Sequence, residues 1–321
     1  MTKIRNIKAD IQTKMRKAYW QYVEDIITPI QDENEYSGMK RFWSFMKHMR
    51  KDYVGVSPLE EHGTTHVDAV SKANILNRQF QSVFTREEEI GPNLLSEHSN
   101  TTAMPDITIT EQGVLKILQG LNIHKATGPD NIGPRILKEL AKNIAPILTI
   151  IFQRSYETGE TPTDWRKANV TSVYKKGKKS QASNYRPISL TCVCCKIMEH
   201  IITSNVMGYA ARNNILYPLQ HGFRDKRSCE TQLLEFIAEV NNHTQHGGQT
   251  DVLIMDFSKA FDNVGHKRLA LKLDHYGIRG KTNAWISSFL NNRKRTVVLD
   301  GERSEEVDVL SGVPQGSVLG P

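Results

Sequence analysis

The sequence has no long apolar run and no secretory leader. Its longest apolar stretch, residues 144–152, is broken by Pro146, whereas a helix needs roughly 20 apolar residues to cross a bilayer. The N-terminus is charged from Lys3 onward, which excludes a signal peptide. We therefore expect an intracellular protein of the cytoplasm and nucleus that is not secreted and has no membrane partner.

Cysteine is also scarce, with 4 residues in 321. That number is too small for a disulfide framework and favours a reducing compartment. Cys192 and Cys195 form one C-x-x-C with Cys194 between them, but no second pair stands at zinc-finger spacing. They fall within the apolar pattern of a predicted helix, so we assign them to core packing and not to a metal.

Basic residues exceed acidic ones by 42 to 35, and the excess is confined to one segment. Residues 165–186 contain seven Lys or Arg and no acid. Outside this segment the two signs are equal in number. A single basic loop indicates a polyanion bound at a defined place, although a solvated loop with nothing bound fits the composition equally well.

Apolar periodicity predicts a helical N-terminal part, a linker at residues 85–106 and a denser part from residue 107 onward. In the first part we predict helices at 4–26, 42–49 and 68–84. In the second part we predict helices at 134–143, 147–158, 190–212, 228–241 and 266–275, strands at 169–174 and 252–255, and a hairpin of 295–299 with 306–310. We find no internal repeat.

The apolar run 252–255 ends directly in Asp256, and the sequence continues FSKAFD to Asp262. An acid at the end of a buried strand is costly unless it is paired, hydrogen-bonded or bound to metal. From this motif alone, a metal ligand and an N-cap for the next turn are equally compatible. One carboxylate cannot hold two metal ions, because Mg²⁺ needs several oxygen ligands.

The segment SGVPQGSVLGP at 311–321 places three Gly and two Pro around Gln315. Small residues let a backbone approach a ligand closely, and Gln315 could hydrogen-bond a base or sugar. An ordinary turn before a helix fits the composition better. No P-loop is present, since Pro134 and Arg135 follow Gly133 where Lys and Ser or Thr are required.

The order of the motifs is more informative than any one of them. SVYKKGKKS, SNYRPISL, QHGFRDKRSCETQLLEFI, VLIMDFSKAFD and SGVPQGSVLGP follow one another from residue 172 to residue 321. Together they resemble the successive motifs of reverse transcriptases, and most closely those of non-LTR (LINE-like, jockey-type) retrotransposons. KATGPD at 125–130 resembles the additional N-terminal motif of that group. The resemblance is specific over 123–321 and weaker over 1–85.

The resemblance implies a role for individual residues of this chain. Asp256 would be the first catalytic aspartate and would bind both Mg²⁺ ions, with the Phe257 carbonyl as a further metal ligand. The nucleotide would be bound by Lys175 and Arg186 at its triphosphate, by Phe261 as the gate against a ribose 2′-hydroxyl, and by the loop of Gln315 and Gly316. Lys176, Lys178 and Lys179 would contact nucleic acid. Asp262 belongs to the motif, but we interpret it as structural.

The implied fold is α+β: the fingers and part of the palm of a right-hand polymerase, residues 107–321, preceded by a helical connector, residues 1–106. The implied reaction is RNA-templated DNA synthesis, in which two Mg²⁺ ions assist nucleotidyl transfer from a dNTP to the 3′-hydroxyl of a DNA primer. No obligate protein partner is implied. The motif that supplies the other catalytic carboxylates is expected beyond residue 321, so we expect a truncated domain. The alternative is a catalytically dead, nucleic-acid-binding remnant of such an element.

Overall fold

A computed structural model describes residues 10, 12–18, 20–21, 23–24, 55–87 and 102–320. The chain divides into two compact units, residues 1–55 and 56–321. In the first unit residues 12–18 are helical, within the predicted helix 4–26. The predicted helix at 42–49 lies outside the described residues.

The second unit combines helices with a mixed sheet. Its helices are α1 Ala69–Gln81, α2 Glu111–Gln119, α3 Pro134–Glu139, α4 Ala141–Thr158, α5 Val193–Arg212, α6 Cys229–Gln245, α7 His266–His275 and α8 Gly280–Leu290. Its strands are β1 Leu59–Glu61, β2 Thr64–His66, β3 Lys167–Tyr174, β4 Tyr185–Thr191, β5 Lys294–Leu299, β6 Glu302–Arg303 and β7 Val307–Asp308. This content agrees with the predicted α+β class, while the division into fingers and palm stays a prediction.

The main sheet has the order β4-β3-β5-β6, with β7 also paired to β5. β3 and β4 are antiparallel and pair Tyr174 with Tyr185, so the lysine-rich loop is the turn of a hairpin. β3 and β5 are parallel, with Val170 opposite Val297. The sheet thereby presents the hairpin and its basic loop at one end.

Helix α1 packs on this sheet. Asp68 caps its N-terminus by accepting a hydrogen bond from the Ser71 backbone at 2.8 Å, and its apolar stripe, including Leu76 and Phe80, shares a core with Val170 and Val297. Residues 56–87 therefore belong to the same compact unit as the sheet. This differs from the predicted boundary at 85–106, because burial of the α1 stripe requires the sheet.

A second core lies between α2, α4, α5 and α8 and includes Phe152, Ile197, Met198 and Trp285. All three cysteines at 192–195 are buried and unpaired, as core packing predicts. Across the described part of the chain, every helix is too short or too polar to span a membrane.

The predicted strand at 252–255 is wrong. Residues 250–257 form no strand, and Val252, Leu253, Ile254 and Met255 are 56–89% exposed. A strand needs a hydrogen-bonded neighbour as well as apolar side chains, and none of the described strands pairs with this segment. Asp256 therefore follows an exposed run of chain and not a buried strand.

Several other elements follow the sequence pattern, whereas α2, α8, β1 and β2 were not predicted, and α4 runs through Pro146, where the pattern predicts a break. Helix α7 has the predicted bounds and is followed by Gly277 at φ +84°, and Ser228 caps α6 through a capping box with Thr231. The strand at 169–174 and the hairpin beyond residue 294 are present. The predicted helix 190–212 begins only at Val193, because the preceding residues form β4, which the pattern did not predict.

Candidate active site

One cleft of about 550 Å³ collects most of the predicted site residues. Its walls come from the end of the β3–β4 hairpin, from α1, and from the segment between α6 and α7. The predicted residues that line it are Lys175, Arg186, Asp256, Phe257, Phe261 and Gln315. These six residues come from four separate sequence motifs, and folding brings them to one place.

The lysine-rich loop at 175–184 is organised by contacts of its own backbone. The Lys175 N–H donates to the Asn184 carbonyl at 2.8 Å, and the Tyr185 hydroxyl donates to the Lys179 carbonyl at 2.7 Å. The amide of Asn184 donates to the Lys178 carbonyl at 2.9 Å. The loop thus has a defined shape while the lysine side chains at 175–179 stay exposed.

The predicted nucleic-acid contacts lie beside the cleft. Lys176, Lys178 and Lys179 are exposed on the loop, and none of them lines the cleft. Lys179 places its ammonium 5.5 Å from the ring centroid of Tyr174. The structure therefore separates the predicted binding cations into two groups. Lys175 and Arg186 line the cleft, as Lys259 does, while Lys176, Lys178 and Lys179 lie outside its lining, on what we call its rim.

Gln315 connects three of the motifs. Its backbone carbonyl accepts the N–H of Ser189 on β4 at 2.7 Å. Its side-chain amide donates to the Asp262 carboxylate at 3.2 and 3.3 Å. The next residue, Gly316, has φ +100°, and a Cβ there would lie 3.1 Å from the Ser189 carbonyl. This close approach requires glycine at 316 and fixes Gln315 against the end of β4.

Asp262 is a half-buried carboxylate that faces inward. Burial raises its pKa, and the hydrogen bond from Gln315 acts in the opposite direction. The guanidinium of Arg295 is buried nearby, and burial lowers its pKa to about 10. A small cavity of about 30 Å³ lies between Asp262 and Arg295. Asp262 also lines the cleft, and its interpretation as a structural residue stays a prediction.

Asp256 is the exposed carboxylate of the cleft, beside the 87% exposed Phe257. Among the described residues there is no group of three or more His, Cys, Asp or Glu side chains able to hold a metal ion. The carboxylate of Asp262 is directed to Gln315. The described residues therefore do not complete the predicted site for two Mg²⁺ ions.

Glu199, which no sequence motif points to, holds the other end of the Gln315 loop. This glutamate is fully buried on α5, and its Oε2 accepts the backbone N–H groups of Val318 and Leu319 at 2.6 and 3.1 Å. Burial raises its pKa above the ordinary value of 4.5, and the two N–H donors and Arg293 oppose that shift. The sequence signal for such a residue is an acid, Glu199, within the apolar pattern of the predicted helix 190–212.

We expect Glu199→Gln to change how stability depends on pH. Because the folded-state pKa is raised, the contribution of Glu199 is full below its ordinary pKa of 4.5 and is lost as the pH rises through the folded-state pKa. The unfolding free energy of the wild type should therefore fall relative to that of Glu199→Gln as the pH rises above 4.5. Urea unfolding at a series of pH values measures this difference.

The matched control for this experiment is Glu139→Gln, which changes an exposed glutamate at the end of α3. It should follow the wild-type pH profile. Glu199→Ala should cost about 1–3 kcal/mol at about pH 4, because it leaves buried donors unsatisfied, and this cost should shrink as the pH rises. Parallel profiles for Glu199→Gln and the wild type would show that Glu199 does not titrate with a raised pKa.

Comparison with known proteins finds a family model that matches the part of the chain that supplies most of this cleft, apart from α1. Residues 173–321 match the family model described as "Reverse transcriptase (RNA-dependent DNA polymerase)". The matched segment begins inside β3 and includes the basic loop, Asp256 and Gln315.

Curated relatives extend the similarity toward the N-terminus. The chain is 29% identical over 223 residues to the "RNA-directed DNA polymerase from mobile element jockey" of Drosophila melanogaster, which is 68% of this chain and 24% of the relative. It is 29% identical over 257 residues to the protein of the same description from Drosophila funebris, covering 78% and 27%. It is 28% identical over 275 residues to the "Putative 115 kDa protein in type-1 retrotransposable element R1DM" of Drosophila melanogaster, covering 85% and 25%. The chain thus spans about a quarter of the length of these relatives.

Proposed function

Residues 173–321 belong to a reverse transcriptase domain of the non-LTR, jockey type, and on this premise we propose that the chain takes part in RNA-directed DNA synthesis. The substrates would be dNTPs, the template RNA and the primer a DNA strand with a free 3′-hydroxyl. An intracellular location in the cytoplasm and nucleus stays part of the same proposal.

The observation that supports this proposal is the convergence of six predicted site residues in one cleft. Lys175 and Arg186 bring a point charge and a planar fork to its wall, which suits a triphosphate. Phe261 and Gln315 line the same cleft, where a sugar and a base would follow the triphosphate. The cleft thus offers separate groups for the three parts of a nucleotide.

Asp256 has the place of the catalytic carboxylate in this proposal. Mg²⁺ is usually bound through one or two carboxylates together with substrate phosphates, so an exposed carboxylate near the phosphate-binding cations is suitably placed. The two-metal reaction needs further ligands than the described residues supply. The two-metal reaction therefore stays a proposal for a longer protein, since the similar part of each relative belongs to a longer chain.

The alternative function, nucleic-acid binding without catalysis, is favoured by one observation. The exposed carboxylate of the cleft is Asp256 alone, within the residues that the structure describes. Both proposals require the basic loop to bind nucleic acid. Primer extension by a protein that joins this chain to the following part of a jockey relative separates them, since only the polymerase would extend the primer.

Binding to nucleic acid is tested first through the three rim lysines. We expect the wild-type chain to bind RNA with an affinity that falls steeply with salt. Changing Lys176, Lys178 and Lys179 together to Ala should flatten the plot of log K against log salt by about 0.7–0.9 units for each phosphate that the lysines no longer neutralise. Fluorescence anisotropy at several salt concentrations gives both slopes.

The control removes the same number of charges from another surface. Lys116, Lys142 and Lys272 are exposed on α2, α4 and α7, and their triple change to Ala should leave the slope close to that of the wild type. Equal slopes for both triple variants would place the nucleic-acid site elsewhere.

A further inference from the structure

The loop at residues 217–227 has no part in the proposed function, yet one of its side chains touches a residue that lines the cleft. Phe223 lies edge-to-face on Phe261, with ring centroids 6.3 Å apart and an interplanar angle of 82°. Phe261 lines the cleft, whereas Phe223 is 68% exposed. Phe223 therefore places a mostly exposed ring against an aromatic residue of the cleft wall.

The backbone at Phe223 is unusual. Its φ is +58°, a left-handed conformation that is rare and strained for a bulky residue other than glycine. Such strain persists where the surroundings fix it, and it is concentrated at functional sites. Burial of the ring does not account for it here, because most of the ring faces solvent.

The surroundings do fix this loop. His221 is buried and contacts the Thr231 hydroxyl at 2.9 Å and the Glu235 carboxylate at 2.7 Å, both on α6. The Arg224 guanidinium donates to the Tyr217 carbonyl at 3.0 Å. The loop is thus fixed on both sides of Phe223. Before Phe223 it is attached to α6 through His221, and after Phe223 it is closed by the hydrogen bond from Arg224 to Tyr217.

The loop also carries positive charge next to the ring. Lys226 is exposed and Arg224 is half-buried, with Asp225 between them. The triphosphate-binding cations proposed above, Lys175 and Arg186, come from a different part of the cleft, the β3–β4 hairpin. An exposed aromatic ring flanked by cations is the combination that binds single-stranded nucleic acid, through base stacking and phosphate contacts.

We propose that Phe223 is a nucleobase-stacking residue for a single-stranded segment of nucleic acid at the mouth of the cleft, with Lys226 contacting an adjacent phosphate. The strand is favoured over a free nucleotide because the loop brings cations of its own, distant in sequence from the hairpin. This inference rests on the proposed function and adds a second binding surface, formed by a loop that lies between the basic loop and Phe261 in the sequence.

The test compares two proteins on two strands by fluorescence anisotropy. The strands are a labelled RNA of about 12 nucleotides, within the usual size of such sites, and an abasic strand with the same number of phosphates. Phe223→Ala should weaken binding of the RNA about 10-fold and leave binding of the abasic strand unchanged. A ring that only shapes the loop would affect both strands alike, and that result would overturn the proposal.

Further variants separate stacking from charge and folding. Phe223→Tyr keeps a ring and should bind RNA like the wild type, and Phe236→Ala, a change of another exposed phenylalanine on α6, should also bind normally. The salt slope of Phe223→Ala should equal that of the wild type, because the variant neutralises the same number of phosphates. A flatter slope would contradict the stacking role.

The outcomes also distinguish this inference from the proposed function. Full RNA affinity in Phe223→Ala, with the salt dependence of the basic loop intact, would overturn the inference alone. If Phe223→Ala binds dTTP more weakly but binds RNA normally, the ring of Phe223 stacks on the base of a free nucleotide. That result would overturn the proposal that Phe223 binds a single strand. A wild-type chain that binds no RNA would overturn both proposals.

Discussion

The 321-residue chain is expected to self-associate at concentrations of roughly tens of micromolar, because its surface carries large exposed apolar patches of the kind that mark interaction sites. Leu253, Ile254, Met255 and Phe257 are each more than 80% exposed. The neighbouring helix α6 exposes Leu233, Leu234, Phe236 and Ile237. Burying one such side chain contributes about 1.5–3 kcal/mol, so a contact that covers several of them is strongly favoured.

Changing Ile254 and Met255 to Lys should convert the associated chain into a monomer, since charge on an unpaired extended segment opposes pairing with another chain. Static light scattering over a concentration series measures the mass. Ile150→Lys, on the exposed side of α4 where Ile150 is 72% exposed, removes a comparable apolar group elsewhere and should leave the association intact. A wild-type chain that is monomeric over the whole series would contradict the prediction.

The sequence predicted best those elements whose signals are local. Helix α7 ends before Gly277, which has the positive φ that stops a helix, and Ser228 supplies a capping box to α6. Both signals depend on a few neighbouring residues. The interactions that start or end these helices form within a single turn, so they can be predicted without knowing the rest of the fold.

Elements that depend on distant partners were predicted less well. The run at 252–255 has the apolar character of a buried strand, but sheet formation depends on a neighbouring strand, which a local pattern cannot supply. β4 was missed for the opposite reason, because its polar and proline-containing sequence becomes a strand through pairing with β3. Likewise α1 joins the sheet by packing across more than 200 residues of sequence, onto β5.

The candidate site shows the same division. Motif resemblance assigns Lys175, Arg186, Asp256 and Gln315 to one site, and the structure places these four residues in one cleft. Glu199 and Phe223 were missed because their importance lies in geometry. One is a buried acid that binds two backbone N–H groups, and the other a strained aromatic residue beside Phe261.

The largest effect on ligand binding is expected from Lys175 and Arg186. The double change Lys175→Ala with Arg186→Ala should weaken binding of a fluorescent dNTP by roughly 100-fold or more, because hydrogen bonds to charged groups contribute about 1.5–3 kcal/mol each and a factor of ten corresponds to about 1.4 kcal/mol. Both side chains are exposed, so thermal unfolding should be unchanged. Titration of the labelled nucleotide into wild type and variant measures the ratio.

Two further variants show whether geometry or net charge is responsible for this effect. Lys176→Ala with Lys178→Ala removes the same charge from outside the cleft lining and should weaken dNTP binding only slightly, since charges that do not contact the ligand act on it through solvent and are screened by salt. Arg186→Lys keeps the charge but lacks the planar fork that fits phosphate oxygens, so its affinity should fall between those of the wild type and the double variant. If the rim variant binds dNTP as weakly as the cleft variant, the triphosphate is held by the general field of the basic loop, and Lys175 and Arg186 have no special role.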